Sequence, residues 1–412
     1  MLGSAISLLG DQFTLVALPW AVLQLTGDPL ALGGVLALLG LPRALFMLLG
    51  GALVDRHSPR RVLMLSKHAS TVLLGLLAAL VLGGRLTLPT LYVLAAGIGL
   101  ASAFSLPAAS ALLPQVVLRQ QLAAANGLMM GLRQLSLFVG PLLAALLLAL
   151  GAAAPASGPA AQGLGLAFAL DALSYALSAW TLSRVVFLPA PPAPATAARQ
   201  PVLAAVADGL RTCWRDRLLR LALAYWALGA VLVVGPVHIA LPLLAASRPA
   251  LGAAAYGQLL AVNGAGALLG MLLAVRRVRL GRLGVTILLA DALIGALVMP
   301  LGLVQTLAQG ALLMVPIGVL AGFVQVSVFT WLQQRVPPAM MGRTMAVFMA
   351  VVMGLPPLAA AASGALLRSL PLTSVCAGAG AGLLLLALLA LLGSPLRQLA
   401  DAPVPAAAPR ED

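Results

Sequence analysis

The sequence predicts an all-helical protein that crosses a membrane twelve times, and three observations carry that expectation. Only 8% of the 412 residues are charged, 62% are hydrophobic, and the mean hydropathy is +1.08. A water-soluble domain carries about 25% charged residues because its surface needs them. A chain this poor in charge must turn most of its exterior toward lipid. The second observation is length: apolar runs of about 20 residues, enough to cross the hydrocarbon core as a helix, recur along the whole chain. The third is the placement of basic residues between those runs.

Expected spans cover 3–25, 30–54, 62–83, 88–112, 123–150 and 163–188, then 218–245, 252–275, 284–304, 308–331, 343–367 and 373–393. The first six form an N-terminal bundle over 1–188 and the last six a C-terminal bundle over 218–393. Between them lies a linker, 189–217, which opens on a Pro/Ala run at Pro189 and runs into the basic stretch Arg211 to Arg220; residues 394–412 form a tail. The first apolar run contains Asp11 and lacks both a basic leader and a small-residue cleavage site, so it reads as a retained span.

Loop charge orients these spans. Nineteen of the 24 Lys and Arg, Lys67 among them, group with the side that holds both termini and the linker; Arg85, Arg248 and Arg368 fall on the other. Arg43 and Arg133 remain inside spans. The positive-inside rule then places both termini and the linker in the cytoplasm of a bacterium, with the chain in the inner membrane. One missed helix would invert every later loop, so the consistent alternation supports the span count.

The same features exclude other classes. The formal charge of +14 sits in short loops between apolar runs, which argues for topology and against a nucleic-acid partner. Cys213 and Cys376 give neither a disulfide framework nor metal spacing. With three histidines and one glutamate there is no H-E-x-x-H set, and no G-x-x-x-x-G-K-[ST] phosphate loop exists for ATP hydrolysis. The expectation is a protein that is not an enzyme and needs no metal or cofactor.

The halves echo each other. Gly50 to Arg56 leaves the second span much as Gly270 to Arg277 leaves the eighth, and Leu113 to Val117 resembles Leu332 to Val336, each at a separation of about 220 residues. Duplicated halves of this kind place a substrate path at their interface.

Ionisable residues inside spans cost about 2.5–3.5 kcal/mol each on insertion scales and usually face the bundle interior. The clear cases are Asp11, Arg43, Arg133, Asp171 and Asp291. Counting helix rise from the arginine-rich side puts Asp11 about 12 Å deep, Arg43 about 16 Å and Arg133 about 15 Å. That shared layer predicts an Asp11–Arg43 pair, with Arg133 reaching toward Asp171. Each pair reads either as a static clamp or as a site where the acid takes a proton when its arginine moves away. Asn126, Gln134, Asn263 and Gln325 are polar span residues open to two readings, substrate contact or helix bridging. Phe13, Trp20, Phe138, Trp226, Phe323, Phe329 and Trp331 are the aromatics available to an apolar cavity.

Six stretches carry a resemblance. Gly51 to Arg61, with Gly51, Asp55, Arg56 and Arg60 in place, resembles the signature loop of the major facilitator superfamily between its second and third helices; Ser58 stands where the usual glycine would be and Pro59 where a basic residue would. Gly140-Pro141 followed by Ala144 and Ala145 resembles the antiporter motif of drug-exporting facilitators, with alanines for the final glycines. Gly10 to Trp20, Leu41 to Arg43, Ala124 to Leu128 and Leu170 to Ser174 resemble a branch that includes enterobactin exporters and macrolide efflux pumps. Those exporters carry a short segment before the first helix and this chain starts almost inside it, so an upstream start is an expectation.

The resemblance implies the major facilitator fold, two six-helix halves rocking about a central cavity. It implies a monomer that exports a small lipophilic or amphipathic molecule, such as a drug or siderophore, by proton antiport. It also implies that Gly51, Asp55, Arg56 and Arg60 gate the cycle. A lipid or lysolipid flippase on the same fold is the alternative.

Overall fold

Where no water reaches the backbone, a chain must satisfy its own amide groups, and helices do so within one segment. The computed structural model describes residues 2–56, 58–152, 159–185, 202–248, 250–277, 282–337 and 340–399, and its spanning segments are all helical. The N-terminal half holds α1 (Leu2–Thr26), α2 (Pro29–Arg56), α3 (Pro59–Leu82), α4 (Leu88–Val116), α5 (Leu122–Ala152) and α6 (Pro159–Ser183). A shorter helix, α7 (Val202–Arg215), lies within the expected linker. The second half holds α8 (Arg217–Gly229), α9 (Gly235–Ser247), α10 (Ala253–Arg277), α11 (Leu283–Val298), α12 (Leu307–Arg335), α13 (Met341–Leu366) and α14 (Leu372–Gly393).

Among the described residues, twelve helical segments are long and apolar enough to cross a membrane, with α8 and α9 joined as one of them. The expected fold class is the observed one, and the spans end within five residues of where the apolar pattern places them.

Local chemistry sets the ends. Pro29 and Pro59 open α2 and α3 in the first turn, where a missing N–H costs nothing. Thr306 and Gln309 form a reciprocal capping box at the start of α12. Gly27 turns the chain between α1 and α2 at φ 62°, a conformation a side chain would strain. The seventh span is interrupted: α8 and α9 are joined by a wide π-type turn over Ala230–Val234, with Pro236 just beyond it. An extra residue in the turn absorbs the hydrogen bond that proline cannot donate.

The apolar core divides by depth. One buried cluster joins both halves, with Val16, Leu18, Leu32, Leu77, Leu91 and Phe168 from the first and Ile239, Leu244, Leu259, Leu301 and Ala360 from the second. Nearly all of its members lie toward the arginine-poor ends of their helices. Toward the arginine-rich ends the core splits into Leu63, Ala108, Leu112 and Leu182 in the first half and a separate group around Leu219, Ile287, Trp331 and Phe348 in the second. The halves are therefore sealed together at the arginine-poor face and parted at the arginine-rich face.

Two seams make the seal, α2 against α13 and α5 against α10. Both need glycine for close approach: a Cβ on Gly264 of α10 would sit 2.4 Å from the Leu137 carbonyl oxygen, and one on Gly364 of α13 would sit 2.4 Å from that of Pro29. Farther along α5, Gly127 and Gly131 face open space.

An ion pair closes the α2–α13 seam at its arginine-poor end. Arg368 donates through Nε to Asp28 Oδ1 at 3.0 Å and through Nη2 to Oδ2. Asp28 also accepts from the Leu30 amide at 3.0 Å, so the same carboxylate caps α2. The Arg368 bond holds the Asp28 carboxyl below its ordinary value of 3.8. A depressed acid contributes fully above its unfolded value and loses that contribution as pH falls through the folded one, so the bridge persists at neutral pH.

Arg368→Asp is expected to unlatch the seal. A membrane-impermeant thiol reagent should then modify a cysteine in place of Ala361, which faces Gly33 across the seam, several-fold faster. The swap Asp28→Arg/Arg368→Asp should bring the rate back; equal rates in all three proteins would mean the pair does not hold the seam.

Candidate functional site

The polar residues of α1 recur at Ser7, Asp11 and Thr14, a spacing that puts them on one helical face. That face packs on α6, with α3 behind it. Gly10 makes the approach possible, since a Cβ there would lie 2.1 Å from Ser174 Oγ and 2.5 Å from Asp171 Oδ1. Tyr175 donates its hydroxyl to Asp11 Oδ1 at 2.7 Å. Lys67 of α3 donates to Ser7 Oγ at 3.2 Å, and its ammonium lies 5.3 Å from the Tyr175 ring centroid. One turn deeper, Thr14 donates to Asp171 Oδ2, and Ser174 reaches Asp171 Oδ1 at 3.3 Å.

The result is a buried polar cluster shared by three helices. Asp171 is 1% exposed and Lys67 6%. Arg43 on α2 and Arg133 on α5 both act electrostatically on Asp11 and repel each other, and both are solvent-accessible. Neither forms an ion pair with a described residue.

The expected Asp11–Arg43 pair is therefore not formed. Asp11 is satisfied by Tyr175, a neutral donor near enough to bond without bringing a second charge into the bundle. Nor does Arg133 reach Asp171, whose oxygens are held by Thr14 and Ser174. Lys67, grouped by sequence with the loops, is drawn inward onto Ser7 and the Tyr175 ring; it is the chain's only lysine.

Gly140 and Pro141 sit where three helices cross. A Cβ on Gly140 would lie 2.4 Å from Gln12 Cβ of α1, while the Pro141 carbonyl oxygen lies 2.7 Å from where Gly257 of α10 would carry one. The side-chain carbonyl oxygen of Gln12 is buried there with no hydrogen-bond partner among the described residues. The side chains of Gly51, Asp55 and Arg56 lie outside the described residues. Arg60 donates to the Ser183 carbonyl at 2.9 Å, tying the start of α3 to the end of α6.

The remaining polar span residues scatter. Asn126 and Gln325 are exposed and Gln134 is half-buried. Asn263 donates to the Met314 carbonyl at 3.0 Å and so bridges α10 to α12. Asp291 is buried in α11 and accepts from Tyr225 of α8 at 2.9 Å. Trp226, Trp331, Phe329 and Phe348 stack edge to face at 5.6–6.0 Å inside the second half's own core. Three of the aromatics expected for a cavity are thus used for packing.

Two acids that sequence reading passed over act on the arginine-rich side. Asp208 of α7 accepts from Arg343 at 3.1 Å, and Asp216 accepts from Arg335 at 2.9 Å while capping α8 through the Leu218 and Leu219 amides. Partial burial pushes the Asp216 carboxyl up, but Arg335 and the two amides outweigh it and hold the group below its ordinary value. The linker helix is thereby fastened to both ends of the α12–α13 connection.

A twelve-span bundle with sealed and parted ends and a buried charge cluster is the architecture of an alternating-access carrier. The family profile described as Major Facilitator Superfamily matches residues 1–361. The chain belongs to the major facilitator superfamily. It is a membrane transporter of that type. No curated protein matches the sequence.

Among solved structures, a point mutant of the nucleoside transporter NupG is similar over 94% of this chain and 97% of its own, at 14% identity and a TM-score of 0.73. A bacterial homologue of the iron transporter ferroportin in an inward-facing state matches 94% of this chain and 95% of its own, at 17% identity and a TM-score of 0.69. A bacterial homologue of the human lysosomal transporter Spinster, inward-facing and occupied, matches 98% and 97%, at 15% identity and a TM-score of 0.67. Identities this low speak for the fold alone.

Thr14→Val leaves the Asp171 carboxylate short of a donor in a buried setting, which costs about 1–3 kcal/mol. The variant should melt at a clearly lower temperature in detergent, whereas Thr14→Ser, which keeps the hydroxyl, should melt near wild type. Equal melting of Thr14→Val and wild type would show that the bond contributes nothing.

Proposed function

We propose that the protein is a secondary active exporter that moves a small amphipathic molecule across the bacterial inner membrane by alternating access and proton antiport. It works as a monomer, with its termini and linker in the cytoplasm. The observation that carries this reading is the buried cluster of Asp11, Tyr175 and Lys67 beside a cleft parted toward the arginine-rich, cytoplasmic face. A carboxylate in such a place can exchange a proton with water entering the cleft, and it is shielded once the cleft closes.

Charge supplies the coupling. In the state parted toward the cytoplasm Asp11, on which Arg43 and Arg133 act electrostatically, gives up its proton to that side. When the halves rock and the opposite side opens, Asp11 takes up a proton from there. The Tyr175 hydroxyl keeps Asp11 oriented throughout, and Lys67 offsets the charge of the ionised acid. Substrate enters the same cleft, where α5 carries Gly127 and Gly131 with no atom facing them within van der Waals reach. The end of α2 with Gly51, Asp55 and Arg56, together with Arg60 at the start of α3, would gate the cytoplasmic rim, and Gly140-Pro141 would serve as a pivot between α1, α5 and α10.

Efflux of a panel of fluorescent amphiphiles, from cells expressing wild type, Asp11→Asn or vector, tests this reading with and without an uncoupler. Wild-type efflux should collapse with the uncoupler, and Asp11→Asn should fall to the vector level while inserting normally. Efflux that survives either treatment would remove the proton from the mechanism.

A further inference from the structure

The linker helix α7 has two faces with different work. Asp208, Gly209 and Cys213 turn inward, as does Asp216 just past the helix end: the two acids hold Arg343 and Arg335, Cys213 is buried, and a Cβ on Gly209 would lie 2.7 Å from the Arg343 carbonyl oxygen. The other face leaves Leu210 48% exposed and Trp214 65% exposed, one turn apart. Arg211 and Arg215, also one turn apart, flank them in the open, Arg211 with its guanidinium 3.9 Å from Asp208 Oδ1, and Arg217 follows. Arg220 stacks over Trp214 at 5.5 Å and donates to its carbonyl at 3.0 Å, so the tryptophan is held outward.

Position identifies what this face meets. The seventh span begins at Arg217, three residues past Trp214, so the end of α7 that carries Trp214 adjoins the membrane boundary. A second exposed tryptophan marks the same level on the first half: Trp180, three residues before the sixth span ends at Ser183, with Arg184 5.5 Å from its ring. Tryptophans gather at this depth because an amphipathic ring suits the boundary between headgroups and acyl chains. An apolar pair flanked by three guanidiniums is complementary to an anionic phospholipid, with the chains under Leu210 and Trp214 and the phosphate on the arginines. An acidic protein would match the charge and leave the two large apolar side chains in water.

We propose that anionic phospholipid of the leaflet on the arginine-rich side binds the outer face of α7 and holds that side of the transporter open. The link is mechanical. Lipid draws α7 toward the bilayer, and α7 is tied through Asp208 and Asp216 to the ends of α12 and α13, which must swing inward for the rim to close. Phosphatidylglycerol binding outward-facing guanidiniums thus becomes a bias on the conformational equilibrium, set by the differential affinity of the lipid for the two states.

Two measurements on the purified full chain test this without a known substrate. Native mass spectrometry in neutral detergent should show phosphatidylglycerol retained well above phosphatidylcholine, with the preference lost in Arg211→Gln/Arg215→Gln/Arg217→Gln. Arg276→Gln/Arg282→Gln, which alters another arginine-rich loop, should keep it. Spin labels on Gly127→Cys in α5 and Val275→Cys in α10, in a Cys213→Ser/Cys376→Ala background, should report a several-fold larger open population in nanodiscs containing phosphatidylglycerol than in pure phosphatidylcholine. The triple variant should not respond. Equal retention of the two lipids, or equal loss in the control variant, would overturn the site. Retention without a change in label distance would overturn the bias and leave α7 a passive anchor.

Discussion

The two halves share an apolar core through only one part of the membrane's depth, and the rest of the structure follows from where that core ends. Apolar contact between helices has no water to expel in lipid, so association depends on close packing. Glycines at the α2–α13 and α5–α10 seams allow that packing, and the branched side chains of the shared cluster fill the space between. Where the shared core stops, each half has to hold itself together, which is why Trp226, Trp331 and Phe348 pack within the second half instead of across the gap. The asymmetry of the core is the asymmetry of access.

Polar groups are placed with respect to the same boundary. The Asp28–Arg368 pair sits at the sealed end, where it latches α2 to α13. The Asp11, Lys67 and Tyr175 cluster lies at the edge of the shared core, to which Tyr175 belongs. Asp208 and Asp216 act at the parted end, and both reach across from the linker. Each of these carboxylates therefore lies at a different depth of the bundle, with different partners.

Much of the fold was legible because apolar run length and loop charge are linear signals. A helix must be about 20 residues long to cross, and the arginines record which end is which. The site was legible only as a set of charged residues at a common depth. Their partners were not, because Tyr175 lies 164 residues from Asp11 and a tyrosine in an apolar run looks like an interfacial anchor. Lys67 resembled a loop residue, although its position eight residues past Pro59 puts it about 12 Å into the helix by rise alone. Asp208 and Asp216 were hidden by treating the linker as a spacer, when Asp216 followed by Arg217 already has the form of a capped helix.

The single lysine has a further consequence for how the protein meets changes of pH. Every other strong base in the chain is an arginine, and a guanidinium stays charged at any pH a cell can survive. The charge pattern that orients the molecule in its membrane is thus permanent, written in groups that never titrate. An ammonium is different, since it can surrender its proton when its surroundings demand it. The chain places its one such group in the interior, against the ring that bonds Asp11. The one basic side chain of variable charge is therefore held inside the first half, apart from the guanidiniums that mark the two faces of the molecule.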